Sequence, residues 1–142
     1  MRADEALEAA LQALGHRDRS AAELDRRLRE RGFSPEERSE ALARLRRTGL
    51  VDDARFAEAR ARILAERGAG DALIRDRLGQ AGVSRELVED ALAATPPEAE
   101  RARRIVAARG PGPRTARYLL GKGFAEDVVR ELVADPPGGE LG

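Results

Sequence analysis

The sequence predicts an all-α protein made of about nine short helices arranged as tandem three-helix repeats. Three observations carry this. Apolar residues recur at three- and four-residue spacing with no strand-like alternation. Glycines fall just after successive apolar stripes, where a left-handed residue closes a helix. Ala, Leu, Glu and Arg dominate, and their side chains lose little freedom on a helix.

In order, Leu7, Ala10, Leu11 and Leu14 form the first stripe, and Ala21, Leu24 and Leu28 the second. Leu42 and Leu45 anchor the third, Phe56, Ala59 and Ile63 the fourth, and Ile74 with Leu78 the fifth. Leu87, Val88, Ala91 and Leu92 follow, then Ile105 with Val106, Leu119 with Leu120, and Val128, Val129, Leu132 and Val133. Gly15, Gly32, Gly49, Gly68, Gly82, Gly110 and Gly123 are the expected stops, with Pro96-Pro97 and Pro136-Pro137 closing the remaining helices. Ser20 with Glu23, Ser34 with Glu37 and Thr95 with Glu98 have capping-box spacing. Pro35 suits a first helical position, where its missing amide costs nothing.

The segment Leu24-x3-Leu28-x3-Gly32-Phe33-Ser34 returns as Ile74-x3-Leu78-x3-Gly82-Val83-Ser84, and in part as Leu119-x3-Gly123-Phe124. Its glycines lie 50 and then 41 residues apart, a period suited to a helical array. Phe33, Val83 and Phe124 are expected to fold back on the helix just left. The expected units are 1–49, 50–95 and a divergent 96–135, with a disordered tail at 136–142.

Charged residues make up 37% of the 142, yet the net charge is zero, which argues against a whole-chain electrostatic DNA binder. Residues 17–47 carry ten basic against seven acidic residues, and residues 97–134 eight against five. Residues 51–95 carry seven against nine, so two basic ends flank an acidic middle. There is no cysteine, no apolar run of membrane-spanning length and no leader-like start, so a cytoplasmic protein is the default expectation.

Enzyme chemistry finds no constellation, and no catalytic or metal-binding residue is assigned. Asp52-Asp53 reads as a helix start rather than a metal pair, because no third ligand lies at suitable spacing. His16 is the sole histidine. Gly68-Ala69-Gly70 lacks the lysine and length of a phosphate loop. The arginines are the open question. Arg26, Arg27 and Arg31, then Arg44, Arg46 and Arg47, then Arg101, Arg103 and Arg104, with Arg114, Arg117 and Lys122, are the candidate contacts for a partner or nucleic acid. Tyr118 is expected to pack rather than stack on a base.

Two stretches carry a resemblance. Ser20-Ala21-Ala22-Glu23-Leu24, with Leu28 and Arg31-Gly32-Phe33, is similar to the N-terminal repeat of RecX-family proteins. Leu50-Val51-Asp52-Asp53-Ala54-Arg55-Phe56-Ala57 resembles that family's L-[LIV]-D-D-x-R-[FY]-A segment. Leu24, Gly32, Phe33, Asp52, Asp53, Arg55, Phe56, Gly82, Gly123 and Phe124 are the motif positions, with structural roles. The resemblance implies three tandem three-helix repeats in a curved array; from the residues no enzyme activity and no cofactor are expected, and a monomer is the expectation. The resemblance also implies binding to the RecA–single-stranded DNA filament in recombination, repair and the SOS response, with inhibition of ATP hydrolysis, filament extension and strand exchange. Weak contact with the DNA backbone is a further expectation. The alternatives from the residues alone are a helical nucleic-acid-binding module without a RecA role, and a plain scaffold.

Overall fold

A computed structural model describes residues 2–133, so the tail expected at 136–142 and the last residues of the third unit lie outside the described residues. Nine helices and no strand occur among the described residues. They are α1 (Arg2–His16), α2 (Ala21–Glu30), α3 (Pro35–Arg47), α4 (Asp53–Glu66), α5 (Asp71–Gln80), α6 (Arg85–Ala93), α7 (Glu98–Arg109), α8 (Pro113–Gly121) and α9 (Glu126–Val133). None is long and apolar enough to cross a membrane.

The caps explain most boundaries. Ser20 with Glu23 and Ser34 with Glu37 form complete capping boxes at α2 and α3. Asp52 caps α4 by accepting from the Arg55 amide, and Ser84 caps α6 through the Leu87 amide. At Gly32, Gly82 and Gly123 the backbone takes φ of 88°, 78° and 90°. The next amide then returns to the helix, Phe33 to Leu28 O, Val83 to Leu78 O and Phe124 to Leu119 O. Phe33, Val83 and Phe124 are all buried, as expected.

Three expectations fail locally. Gly15 lies within α1, which runs on to His16, so it stops nothing. Thr95 does not cap α7: Pro97 is the cap residue, the Thr95 hydroxyl donates to Ala91 O, and Glu98 is used elsewhere. In α1 the buried positions are Ala6, Ala9, Ala10 and Ala13, with Leu7 and Leu14 half-buried against the same core, while Leu11 of the expected stripe is 42% exposed. Small side chains let α1 approach α3 closely, and Leu24, Leu28, Leu42 and Leu45 fill the volume from the other side.

Each group of three helices has its own core. Leu24, Leu28 and Leu45 centre the first, Ile74 and Leu78 the second, and Ala102 with Leu119 the third. Phe56 is buried in the second core, on the side that faces the first repeat.

The repeats are joined at helix ends by one recurring clasp. In it, the start of a repeat's second helix meets the terminal turn of the next repeat's second helix. Ser20 Oγ donates to Ala81 O; one repeat on, the Gly70 amide donates to Lys122 O. The first helical residue of the following repeat supplies a carboxylate to the first amide of that second helix. Asp53 accepts from the Ala21 amide at 2.8 Å, and Glu98 from the Asp71 amide at 2.9 Å. Opposite partial charges of the two helix ends also meet there. At the open ends, α8 begins with Pro113. Arg2 of α1 reaches Gly32 O and Glu37, its guanidinium 4.6 Å from the centre of the Phe33 ring.

Candidate functional site

The candidate arginines divide into those that hold the fold and those that face water. Arg101 is the clearest correction. It was expected to project to solvent with Arg103 and Arg104, but it is only 6% exposed. Its guanidinium donates to Pro96 O and Ala69 O at 2.9 Å each and closes on the Asp71 carboxylate. A buried cation needs this complete set of acceptors, so Arg101 offers no free face to a partner. It occupies the place in the third repeat that Phe56 takes in the second, each lying three residues after the clasp carboxylate.

Arg55 ties the inter-repeat connection, donating to Gly49 O at 2.9 Å and Leu50 O at 3.4 Å. Arg44 reaches Asp4, and Arg104 pairs with Glu100 one turn away. Lys122 is half-buried, and its carbonyl belongs to the second clasp. Arg109 lies over the Tyr118 ring, 3.7 Å from its centre, so the tyrosine is occupied. Arg26, Arg27, Arg31, Arg46, Arg47, Arg103, Arg114 and Arg117 are exposed and form no ion pair among the described residues.

The Asp52-Asp53 pair is divided between two structural jobs, the α4 cap and the first clasp. No group of three or more possible ligands among the described residues could hold a metal. Among the described residues no buried side-chain polar atom lacks a partner.

The helices do bring arginines together at the boundary between the first and second repeats. Arg17, Arg26, Arg60, Arg67 and Arg77 line a cleft of about 690 Å³ there, with Glu23 the one carboxylate on its wall. Arg17 answers Glu23 at 3.6 Å. Nearby, Arg19 is held below the usual arginine range, first by burial and then by the positive charges of Arg17 and Arg27. Sequence reasoning named only Arg26 of the five lining arginines. Arg75 and Arg77, two residues apart on α5, differ. Arg75 binds Glu89 through two contacts of 2.8 and 3.1 Å, and the Glu89 hydrogen bond is the main cause raising its pKa. Arg77 has no ion pair among the described residues. A signal was available in the seven-residue spacing of Arg60 and Arg67, which puts both on one face of α4.

A second hollow, of about 440 Å³, lies between the second and third repeats. Glu58, Glu66, Arg62 and Arg104 surround Ile105 and small apolar groups there, so both signs of charge are present.

Comparison with known proteins fits this architecture. Residues 6–45 match the first three-helix domain of RecX, and residues 52–92 match the second. The chain is 36% identical over 134 residues to the regulatory protein RecX of Chromohalobacter salexigens, covering 88% of each. It is 32% identical over 139 residues to the regulatory protein RecX of Trichlorobacter lovleyi, covering 87% of this chain and 90% of the relative. In fold it superposes on the crystal structure of RecX from Lactobacillus salivarius with a TM-score of 0.79 at 21% identity, over 99% of this chain and 98% of that one. With nine helices among the described residues in tandem groups of three, two matching RecX domains and similarity over 88% of its length to a protein of this kind, the chain belongs to the RecX family of regulatory proteins.

Proposed function

We propose that this protein regulates homologous recombination and repair by binding the RecA filament on single-stranded DNA and restraining its ATP hydrolysis, extension and strand exchange. The observation that carries the reading is similarity over 87–88% of the chain to regulatory proteins of the RecX family. The surface chemistry agrees with a binding role. Arg46 and Arg47 on the first repeat and Arg103 on the third are exposed and without ion pairs among the described residues, leaving their charge for an acidic partner. Such charges accelerate and orient association more than they tighten it.

The test measures suppression of RecA ATPase activity on single-stranded DNA. The pairs Arg46→Glu with Arg47→Glu and Arg103→Glu with Arg104→Glu are compared with the parent and with Arg75→Glu. Both pairs should weaken suppression, most visibly at low salt where screening is least. Helicity and melting should change little, because exposed charges contribute little to stability. A parent chain without effect on the ATPase overturns the reading. If both reversed pairs suppress as the parent does, the filament surface lies elsewhere.

A further inference from the structure

We propose that the cleft between the first and second repeats is a seat for the phosphodiester backbone of a single nucleic-acid strand, gripped by Arg26, Arg60, Arg67 and Arg77. The inference is independent of filament binding, since naked nucleic acid is the ligand.

The cleft gathers five arginines against one carboxylate. Glu23 is already committed to the α2 capping box and to Arg17, so it neutralises little of the rest. Arg26, Arg67 and Arg77 are exposed and have no ion pair among the described residues. They come from α2, from the C-terminal cap of α4 and from α5, so the grouping is made by the fold and not by a local run of sequence. Arg60 lies over the Phe56 ring, 5.2 Å from its centre, a placement that fixes the guanidinium and leaves its planar edge able to donate. Some arginines elsewhere on this chain are matched one turn away, as Arg29 is by Asp25 and Arg104 by Glu100, but Arg26, Arg67 and Arg77 are not. Like charges assembled without such matches raise the energy of the free protein, and an anion would relieve it.

The dimensions select the anion. Arg60 and Arg67 are seven residues apart on α4, roughly 10 Å along the helix. At about 3.4 Å of axis per phosphate in one strand, that distance spans about three nucleotides. A lone phosphate cannot bridge it. An acidic protein segment fits less well. Protein interfaces are centred on large aromatic or apolar anchors, whereas the large apolar side chains of this cleft are Ile63, 41% exposed, half-buried Leu64 and buried Phe56. No aromatic face is free for base stacking, because Phe56 is buried. The grip is therefore on the backbone and indifferent to sequence.

The experiment follows fluorescence anisotropy of a labelled oligothymidylate titrated with the full chain between roughly 50 and 200 mM salt. The parent is compared with Arg67→Glu/Arg77→Glu, with Arg26→Glu, and with Arg85→Glu on α6 as a remote control. The double variant should lose at least about tenfold in affinity at low salt, and Arg26→Glu several-fold. The control should stay within about twofold, all with parental circular dichroism. The slope of log affinity against log salt should also shrink by about 0.7 for each phosphate contact removed. Unchanged binding by the double variant overturns the assignment. So does a parent that fails to bind the oligonucleotide, whether it captures poly-glutamate instead or neither probe.

Discussion

The two junctions follow one plan with different chemistry. At the first, the link toward the neighbouring turn is made by a side chain, the Ser20 hydroxyl on Ala81 O, while Gly82 lies against the Ala22 methyl. At the second, backbone meets backbone. The Gly70 amide binds Lys122 O at 2.7 Å and the Ala72 amide binds Gly123 O at 3.2 Å. A methyl on Gly70 would stand 2.4 Å from the Gly123 carbonyl carbon, and one on Gly123 2.6 Å from the Leu73 amide nitrogen. Glu98 accepts from both Asp71 and Ala125, whereas the only clasp amide bound by Asp53 is that of Ala21. Arg101 then locks the second junction from beneath. Close backbone approach thus makes the second junction the denser of the two. The side-chain link of the first leaves room beside it for the basic cleft.

The largest expected effect tests that density. Arg101→Ala strips the donor from Ala69 O and Pro96 O and leaves Asp71 alone, and should cost about 3 kcal/mol in urea unfolding. Hydrogen exchange should quicken around Ala69, Asp71 and Ala125 while the first repeat stays protected. A loss below about 1 kcal/mol would mean that Arg101 is not what holds the second junction. Next come the clasp carboxylates. Glu98→Ala removes acceptors for two amides and should cost about 2 kcal/mol, against about 1 kcal/mol for Asp53→Ala, by analogy with lost helix caps. Equal costs would erase the distinction drawn between the junctions.

The smallest effect serves as a reference away from both junctions. Glu37 is held below the usual carboxylate range, chiefly by the Ser34 backbone amide and also by the Ser34 hydroxyl and Arg2. A depressed folded-state pKa gives stability that is present above the ordinary carboxylate range and lost as pH falls through the lowered value. Acid melting curves of Glu37→Gln should therefore converge on the parent as pH drops, with exchange at Ala21 and Asp71 unchanged.

The sequence made the fold legible where chemistry is local. Gly32, Gly82 and Gly123, with the serine caps, marked helix ends because glycine at positive φ and a hydroxyl at a cap act within a few residues. In α1, alanine and leucine both recur at helical spacing, and only the approach of α3 decides which face is covered. Arg101 looked like its neighbours because its acceptors, Ala69 O and Asp71, come from some 30 residues away. The basic cleft was hidden for the same reason, as its arginines are dispersed over several elements and each taken alone resembles ordinary surface charge.

The clasp has a direction, and in principle a directional joint can add units without limit, as a filament does. Two side chains withhold it at the open ends. Pro113 stands where Ala21 and Asp71 present an amide, and proline has none to give. Arg2 stands where Asp53 and Glu98 present a carboxylate, four residues before a fully buried alanine in each case, and brings the opposite charge. Neither Pro113 nor Arg2 can make its half of the clasp as Ala21 and Asp53 do, so a copy laid end to end would meet a missing donor and a charge of the wrong sign.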